Sequence, residues 1–263
     1  MSKHKGMLLA IDVGNTNIVV GIFKGDTLVA DFRLKTEHEL TADEIALSLK
    51  GLMELKGIAL RQISAVAIAC VVPPLLWPFR EFVRRYLDCP IRVVGEDGVI
   101  GIPILYDHPA EVGADRLINA LAAWERYRRS LIVVDYGTAT TFDCVSDRGE
   151  YLGGAIAPGL SPAAEALFVK AARLPKVELF SYPERAIGKN TMESMRAGLI
   201  LGFAALTDGL IEQLEREMGQ RAKIVATGGL APVMARYSQR IETVTPHLTL
   251  EGLRIFYERN KAS

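Results

Sequence analysis

The stretch Leu8-Leu9-Ala10-Ile11-Asp12-Val13-Gly14-Asn15-Thr16-Asn17 is an apolar run closed by Asp, Gly and small polar residues. It returns half a chain later as Leu131-Ile132-Val133-Val134-Asp135-Tyr136-Gly137-Thr138-Ala139-Thr140. Each copy continues into a second apolar stretch, Ile18 to Phe23 and Thr141 to Val145. The pattern predicts a duplicated β-hairpin whose two turns could face each other across a cleft. A carboxylate at the C-terminal end of a buried strand suits a hydrated Mg²⁺, and Gly14 and Gly137 let backbone approach phosphate oxygens and offer N–H donors. Asn15, Thr16, Asn17, Thr138 and Thr140 add neutral side-chain donors. One Asp-x-Gly after a strand reads as an ordinary hairpin turn. Its duplication favours a phosphate clamp.

Outward from the first hairpin, Thr27 to Leu34 alternates as a third strand. Thr41-Ala42-Asp43-Glu44 is a capping box opening a helix that Gly57 ends, with Ile45, Leu49, Leu52 and Met53 on one stripe. Ala65 to Val72 reads as a buried parallel strand stopping at Pro73-Pro74, followed by a helix from about Leu75 to Leu87, a strand from Ile91 to Val94 and a Gly/Pro-rich connection from Gly95 to Pro109. Val112 to Arg128 is helical, with Leu117, Leu121, Ala122 and Trp124 as its apolar face. In the second half, Gly149 to Gly159 is a strand with a glycine-rich turn, Pro162 to Ala172 a helix, Thr191 to Met218 one long helix or a pair, and Ile224 to Ala226 a core strand running into Thr227-Gly228-Gly229. The order of elements predicts an α/β architecture of two RNase-H-like lobes with a nucleotide in the interlobe cleft. The lobes are expected at 7–117 and 118–263, with a last helix that could pack back on the first. The glycine patterns of dinucleotide-binding and P-loop folds are absent.

Lys plus Arg and Asp plus Glu stand at 31 each, so no net field draws the 263-residue chain toward nucleic acid or an anionic membrane. The expected partner is a small molecule. Cys70, Cys89 and Cys144 have neither disulfide-framework nor zinc spacing, which fits a reducing cytoplasm. Ala197 to Leu206, the longest strongly apolar helical run, is far short of the ~20 residues of a membrane span, and no export signal is read. The polar stretch Met1 to Gly6 precedes a second Met and is left out of the fold argument. His4, His38, His108 and His247 show no metal spacing, and Lys170 and Lys189 read as solvated.

An acceptor for the phosphoryl group needs its own site, and Glu111-Val112-Gly113-Ala114-Asp115-Arg116 is the best candidate. It combines flexible backbone, a helix N-terminus, one carboxylate and one guanidinium, which suits an anionic substrate with Asp115 accepting a hydroxyl proton. The plainer alternative is a pair that compensates the helix dipole. Gly198, Gly202 and Ala205 imply a close helix contact, either inside the monomer or at a dimer seam.

Asp12 to Asn17, Glu111 to Arg116, Asp135 to Thr141, Gly153-Gly154-Ala155-Ile156-Ala157-Pro158-Gly159, Lys189-Asn190-Thr191 and Thr227 to Gly229 together resemble the type III pantothenate kinase family, from Leu8 to about Leu253. The resemblance implies the acetate/sugar kinase, heat-shock ATPase and actin superfold, a homodimer, and ATP-dependent phosphorylation of pantothenate to 4′-phosphopantothenate, the first step of coenzyme A biosynthesis. It implies that Asp12, Val13, Gly14, Asn15, Thr16, Asn17, Ile18 and Val19 cradle the ATP phosphates, with Asp12 near Mg²⁺ and Thr138 assisting. It places a monovalent cation, K⁺ or NH₄⁺, on Asp135. Pantothenate would be held by Tyr106, Gly113, Ala114, Asp115 and Arg116, with Asp115 the proton acceptor and Thr191 reaching in from the neighbouring subunit. Ala69-Cys70 stands where the family tends to carry small hydroxyl residues, with no expected effect on chemistry. The competing functions are a transcriptional regulator of the same family, for which the chain shows neither basic face nor helix-turn-helix pattern, and a kinase of another small hydroxy acid or sugar.

Overall fold

The computed structural model describes residues 6–170 and 182–261, with the side chain of Lys170 excepted. Ala171 and Ala172 of the expected fourth helix, and His4, lie outside the described residues. By contacts the chain forms two compact units. The first comprises residues up to Ile102, His108–Ala122 and the chain from Leu248 onward; the second comprises Pro103–Asp107 and Ala123–His247.

In the first unit, β1 (Met7–Val13), β2 (Asn17–Lys24), β3 (Thr27–Lys35), β4 (Ile63–Cys70) and β5 (Ile91–Val93) form one sheet in the order β3-β2-β1-β4-β5. The β1–β2–β3 meander is antiparallel, while β4 and β5 join in parallel. This topology follows from chain connections: a tight turn reverses a strand, whereas a parallel neighbour needs a helical crossover. Helix α1 (Ala42–Glu54) supplies the first crossover and α2 (Pro73–Phe82) the second. The capping box at α1 is made in both directions, Glu44 N–H donating to Thr41 Oγ1 (3.3 Å) and Thr41 N–H to Glu44 Oε2 (2.9 Å). Helix α2 begins at Pro73, two residues earlier than expected, because proline suits the first helical turn.

Alternation along β1 sends Leu9, Ile11 and Val13 into a core with Ile45, Leu49, Met53, Phe79 and Phe82. Helix α7 (Leu248–Asn260) also belongs to this unit. It lies on β1 and β4, and a Cβ on Gly21 would strike Leu250. Helix α3 (Ala114–Tyr127) contributes its first half, and there Gly252 of α7 closes onto the Ile118 backbone while Thr249 donates to Asn119 Oδ1 (2.8 Å).

The second unit repeats the design. Strands β6 (Leu131–Tyr136), β7 (Ala139–Val145), β8 (Tyr151–Pro158), β9 (Lys223–Thr227) and β10 (Thr243–Val244) run in the order β10-β9-β6-β7-β8, with β6–β7–β8 antiparallel and β9 and β10 parallel. Helices α4 (Leu160–Lys170), α5 (Thr191–Met218) and α6 (Ala231–Met234) complete it. Helix α5 is one helix rather than a pair. By length and composition it could cross a membrane, at 28 residues with a mean hydropathy of 1.3 over its most apolar window. Its inner face is nevertheless built into the unit: Met195, Leu199, Ile200, Ala204 and Ile211 join the core, Thr207 Oγ1 meets the Tyr136 hydroxyl at 2.8 Å, and the Asp208 carboxylate accepts from Gln239 N–H (2.9 Å). Gly198, Gly202 and Ala205 lie on its exposed face, and the glycines look onto open space.

Candidate active site

In the first unit the β1–β2 turn carries Asp12 and its neighbours. Asp12 is half-buried at the strand end, opposite Val19; Val13 and Ile18 are fully buried, so only their backbone is available to a ligand; Asn15 and Thr16 are exposed and Asn17 is partly exposed. The turn is braced from just past β3, where Thr36 donates through Oγ1 to the Gly14 carbonyl (2.6 Å) and through N–H to the Thr16 carbonyl (3.0 Å). Gly14 does not offer its own amide as expected, because that N–H donates to the Asn17 carbonyl at 3.1 Å. In the second unit the β6–β7 turn behaves alike: Gly137 N–H donates to the Ala139 carbonyl at 3.0 Å. In both hairpins the glycine amide closes the turn.

Two other glycines pack against the second turn. Gly159 N–H donates to the Thr138 carbonyl (3.1 Å), and a Cβ at Gly159 would overlap the Gly137 and Thr138 carbonyls. Gly228, with φ +89°, directly follows β9, whose last residue Thr227 is in register with Asp135; a Cβ on Gly228 would stand 2.5 Å from Asp135 Oδ1 and 2.6 Å from the Tyr136 carbonyl oxygen. Its glycine turn was visible in the sequence, but its packing against Asp135 was not. Thr138 is exposed, whereas Thr140 is fully buried and so is no surface donor.

The segment read from sequence as a candidate acceptor site, Glu111 to Arg116, runs into the start of α3. Gly113 carbonyl accepts from Leu117 N–H (3.2 Å), Asp115 Oδ1 accepts from Arg116 N–H (2.8 Å), and a Cβ on Gly113 would stand 2.6 Å from that same oxygen. Arg116 is buried, Ala114 and Asp115 partly so. Burial pushes the Asp115 carboxyl above the ordinary range, against the lowering effects of the Arg116 backbone bond and charge. A carboxylate raised in this way is a better proton acceptor near neutrality.

Tyr106 belongs to the second unit, its ring 3.3 Å from the position of a Cβ on Gly153 and 6.3 Å, centroid to centroid, from Tyr151. Thr191 is exposed at the first position of α5. Before it Asn190 caps the helix, its Oδ1 accepting from Glu193 N–H (2.9 Å), while Lys189 N–H donates to Glu193 Oε2 (2.8 Å). That backbone bond from Lys189 leads the effects holding the Glu193 carboxyl below its usual range. Lys189 is exposed, as are His38 and His108. Asp143 was missed by sequence reasoning: it is a fully buried carboxylate within β7, and its signal was a charged residue interrupting an apolar strand.

The sequence profile of the family described as type III pantothenate kinase matches residues 8–213. A type III pantothenate kinase from Desulfatibacillum aliphaticivorans is 52% identical over 253 residues, covering 96% of this chain and 98% of that protein. Among solved structures, a Campylobacter jejuni protein described as a Baf family transcriptional activator aligns with TM-score 0.60 and 19% identity over 97% of this chain and all of its own. The activator of 2-hydroxyisocaproyl-CoA dehydratase from Clostridium difficile, solved with ADPNP, aligns with TM-score 0.54 and 16% identity over 97% and 96% of the two chains. These structural likenesses are of fold, and the fold is the two-lobed superfold of acetate and sugar kinases, heat-shock ATPases and actin. Sequence profile and relatives agree with the six motifs: the chain belongs to the type III pantothenate kinase family.

Proposed function

We infer that the chain is a pantothenate kinase, transferring the γ-phosphoryl group of ATP to the primary hydroxyl of pantothenate to give 4′-phosphopantothenate, the first step of coenzyme A biosynthesis. Family membership supports the reaction, and the placement of Asp115 in the first turn of α3, with its carboxyl raised by burial, supports its role as base. Asp115 accepts the proton of the attacking hydroxyl. In a loose phosphoryl-transfer transition state this orients the nucleophile more than it strengthens it. The positive end of α3 and the Arg116 guanidinium favour an anionic acceptor, and Gly113 leaves room at the Asp115 carboxylate. Tyr106 and Ala114 add contacts to pantothenate. The backbone from Asp12 to Val19, with the exposed side chains of Asn15 and Thr16, holds the ATP phosphates, joined by Thr138.

Asp12 is a single half-buried carboxylate, and among the described residues no three His, Cys, Asp or Glu side chains gather. That suits Mg²⁺, which keeps waters and takes oxygens from phosphate. When bound it neutralises phosphate charge. The space beside Gly228, lined by Asp135 Oδ1 and the Tyr136 carbonyl oxygen, suits a monovalent cation, K⁺ or NH₄⁺. A cytoplasmic homodimer completes this reading, with Thr191 serving the neighbouring subunit's pantothenate. The exposed small-residue face of α5 supports such a seam.

Phosphate transfer from ATP to pantothenate, with K⁺, NH₄⁺ or Na⁺ as sole monovalent cation and beside Asp115→Asn, tests the whole. Turnover that requires K⁺ or NH₄⁺ and collapses in the variant is expected. ATP binding without turnover under any cation would refute the reaction.

A further inference from the structure

A carboxylate inside a sheet is costly unless something is gained from it. Asp143 of β7 and Tyr151 of β8 are both fully buried, and the Tyr151 hydroxyl donates to Asp143 Oδ1 at 2.9 Å. Thr141 Oγ1 donates to the other carboxylate oxygen at 3.2 Å. Thr141 is itself paired with Asp135 across the β6–β7 ladder, so Asp135, Thr141 and Asp143 share one sheet face. A phenylalanine and an aliphatic residue would fill the same space without the desolvation cost.

Tyr151 does more than fill space. Its N–H donates to the Pro103 carbonyl (2.8 Å), and its carbonyl accepts from Leu105 N–H (2.8 Å). Ile104 thereby pairs with Tyr151 as a parallel bridge, which attaches Pro103–Asp107 to the second unit although the chain on either side belongs to the first. Tyr106 follows at once, its ring tilted 52° against the Tyr151 ring and laid over Gly153, whose φ of +110° and missing Cβ leave the surface flat. The hydroxyl bond to Asp143 fixes the rotation of the Tyr151 ring, hence the plane against which Tyr106 rests.

We propose that Asp143 and Tyr151 are positioning residues for the acceptor: their hydrogen bond holds the Pro103–Asp107 segment and the Tyr106 ring in the geometry that receives pantothenate. This rests on Tyr106 being a pantothenate contact. A preorganised contact is made without an ordering cost at binding, so the effect falls on the acceptor's KM rather than on ATP.

The test compares Tyr151→Phe, Asp143→Val, Asp143→Asn and Tyr106→Ala in the full-length enzyme, by steady-state kinetics for both substrates and by hydrogen exchange at the Leu105 amide. Tyr151→Phe and Asp143→Val are expected to raise the pantothenate KM about tenfold, with the ATP KM changed less than about twofold, and to speed Leu105 exchange about tenfold. Asp143→Asn keeps an acceptor oxygen for Tyr151 and is expected to restore the pantothenate KM to within about threefold of the parent. A pair serving only stability would lower the melting temperature and leave both the KM ratio and Leu105 exchange untouched. That result in Tyr151→Phe overturns the proposal, and Tyr151→Phe decides alone if Asp143→Val does not fold. Tyr106→Ala separates the two ideas. If it raises the pantothenate KM and Tyr151→Phe does not, positioning by the pair is wrong while the Tyr106 assignment stands. If Tyr106→Ala leaves the KM unchanged, the Tyr106 assignment fails and the proposal falls with it.

Discussion

Gly159→Ala should separate rate from stability. Gly159 sits between β8 and α4, and a Cβ there would stand 2.7 Å from the Gly137 carbonyl oxygen and closer still to that of Thr138. Neither atom can rotate away, because both belong to the backbone of the β6–β7 turn, proposed above to bind phosphate. Restoring ordinary contact moves that turn by about 1 Å. A displacement of that size at a positioned group costs about 10²-fold in rate, equivalent to roughly 2.7 kcal/mol of transition-state stabilisation. The loss in folding is smaller: the Gly159 to Thr138 hydrogen bond contributes about 1 kcal/mol, and a domain stable by about 5–15 kcal/mol survives that. The assay is kcat/KM for ATP at saturating pantothenate beside urea unfolding, with Gly51→Ala as control, since nothing lies within 4 Å of a Cβ at that helical position. Gly159→Ala should remain folded and lose about two decades of kcat/KM, while Gly51→Ala keeps the parent's kcat/KM and gains about 0.5–1 kcal/mol of stability. An ATP kcat/KM within about threefold of the parent, or a loss that merely tracks the unfolded fraction, would refute the assignment of this turn to phosphate binding.

Three further outcomes are expected. Asp115→Asn should lower kcat by about 10²–10⁴-fold while making the protein more stable at pH 7. Because burial raises the folded-state value, ionisation opposes folding: the penalty is absent below the ordinary value of 3.8, grows as pH rises toward the folded value and is complete above it, so urea midpoints of parent and variant should converge at low pH. Gly198→Ala on an isolated helix surface would stabilise by about 0.5–1 kcal/mol; at a homodimer seam it should instead shift the monomer–dimer equilibrium toward monomer in sedimentation. Greater stability with unchanged assembly would remove this face of α5 from the seam. Asn260→Ala should lower stability by about 2–3 kcal/mol in urea unfolding, because the buried Asn260 side chain accepts from Val99 N–H (2.9 Å) and donates to the Val99 carbonyl (3.0 Å) and the Phe256 carbonyl (2.8 Å).

The parts of the molecule that sequence made readable are those whose signal lies in side chains close together along the chain. The paired runs at Asp12 and Asp135 and the Thr41–Glu44 box each carry polarity, periodicity and turn chemistry within a few residues, and each folds as the pattern requires. What stayed hidden depends on backbone pairing or on packing between distant segments. The transfer of Pro103–Asp107 to the second unit is made by main-chain bonds to Tyr151, which no side-chain pattern encodes. Two-residue β10 is too short for a period. Helix α5 left open a break because Gly198, Gly202 and Gly209 weaken its propensity; its Met195, Leu199 and Ile211 face decides the matter by burial in the core.

The β1–β2 and β6–β7 turns, alike in sequence, differ in length and surroundings. Val13 pairs with Ile18, leaving Gly14, Asn15 and Thr16 between β1 and β2, whereas Tyr136 pairs with Thr140, leaving Gly137 and Thr138 between β6 and β7. In both, the glycine amide is spent within the turn. After the glycine, the longer first loop exposes Asn15 and Thr16, and the shorter second exposes Thr138. Gly159 and Gly228 pack closely against the second turn and Asp135, while Thr36 braces the first through the Gly14 and Thr16 carbonyls. On the function proposed above, the duplication diverges in role: the three-residue first loop serves the ATP phosphates, and the two-residue second loop lies beside the Asp135 and Tyr136 oxygens proposed to hold a cation.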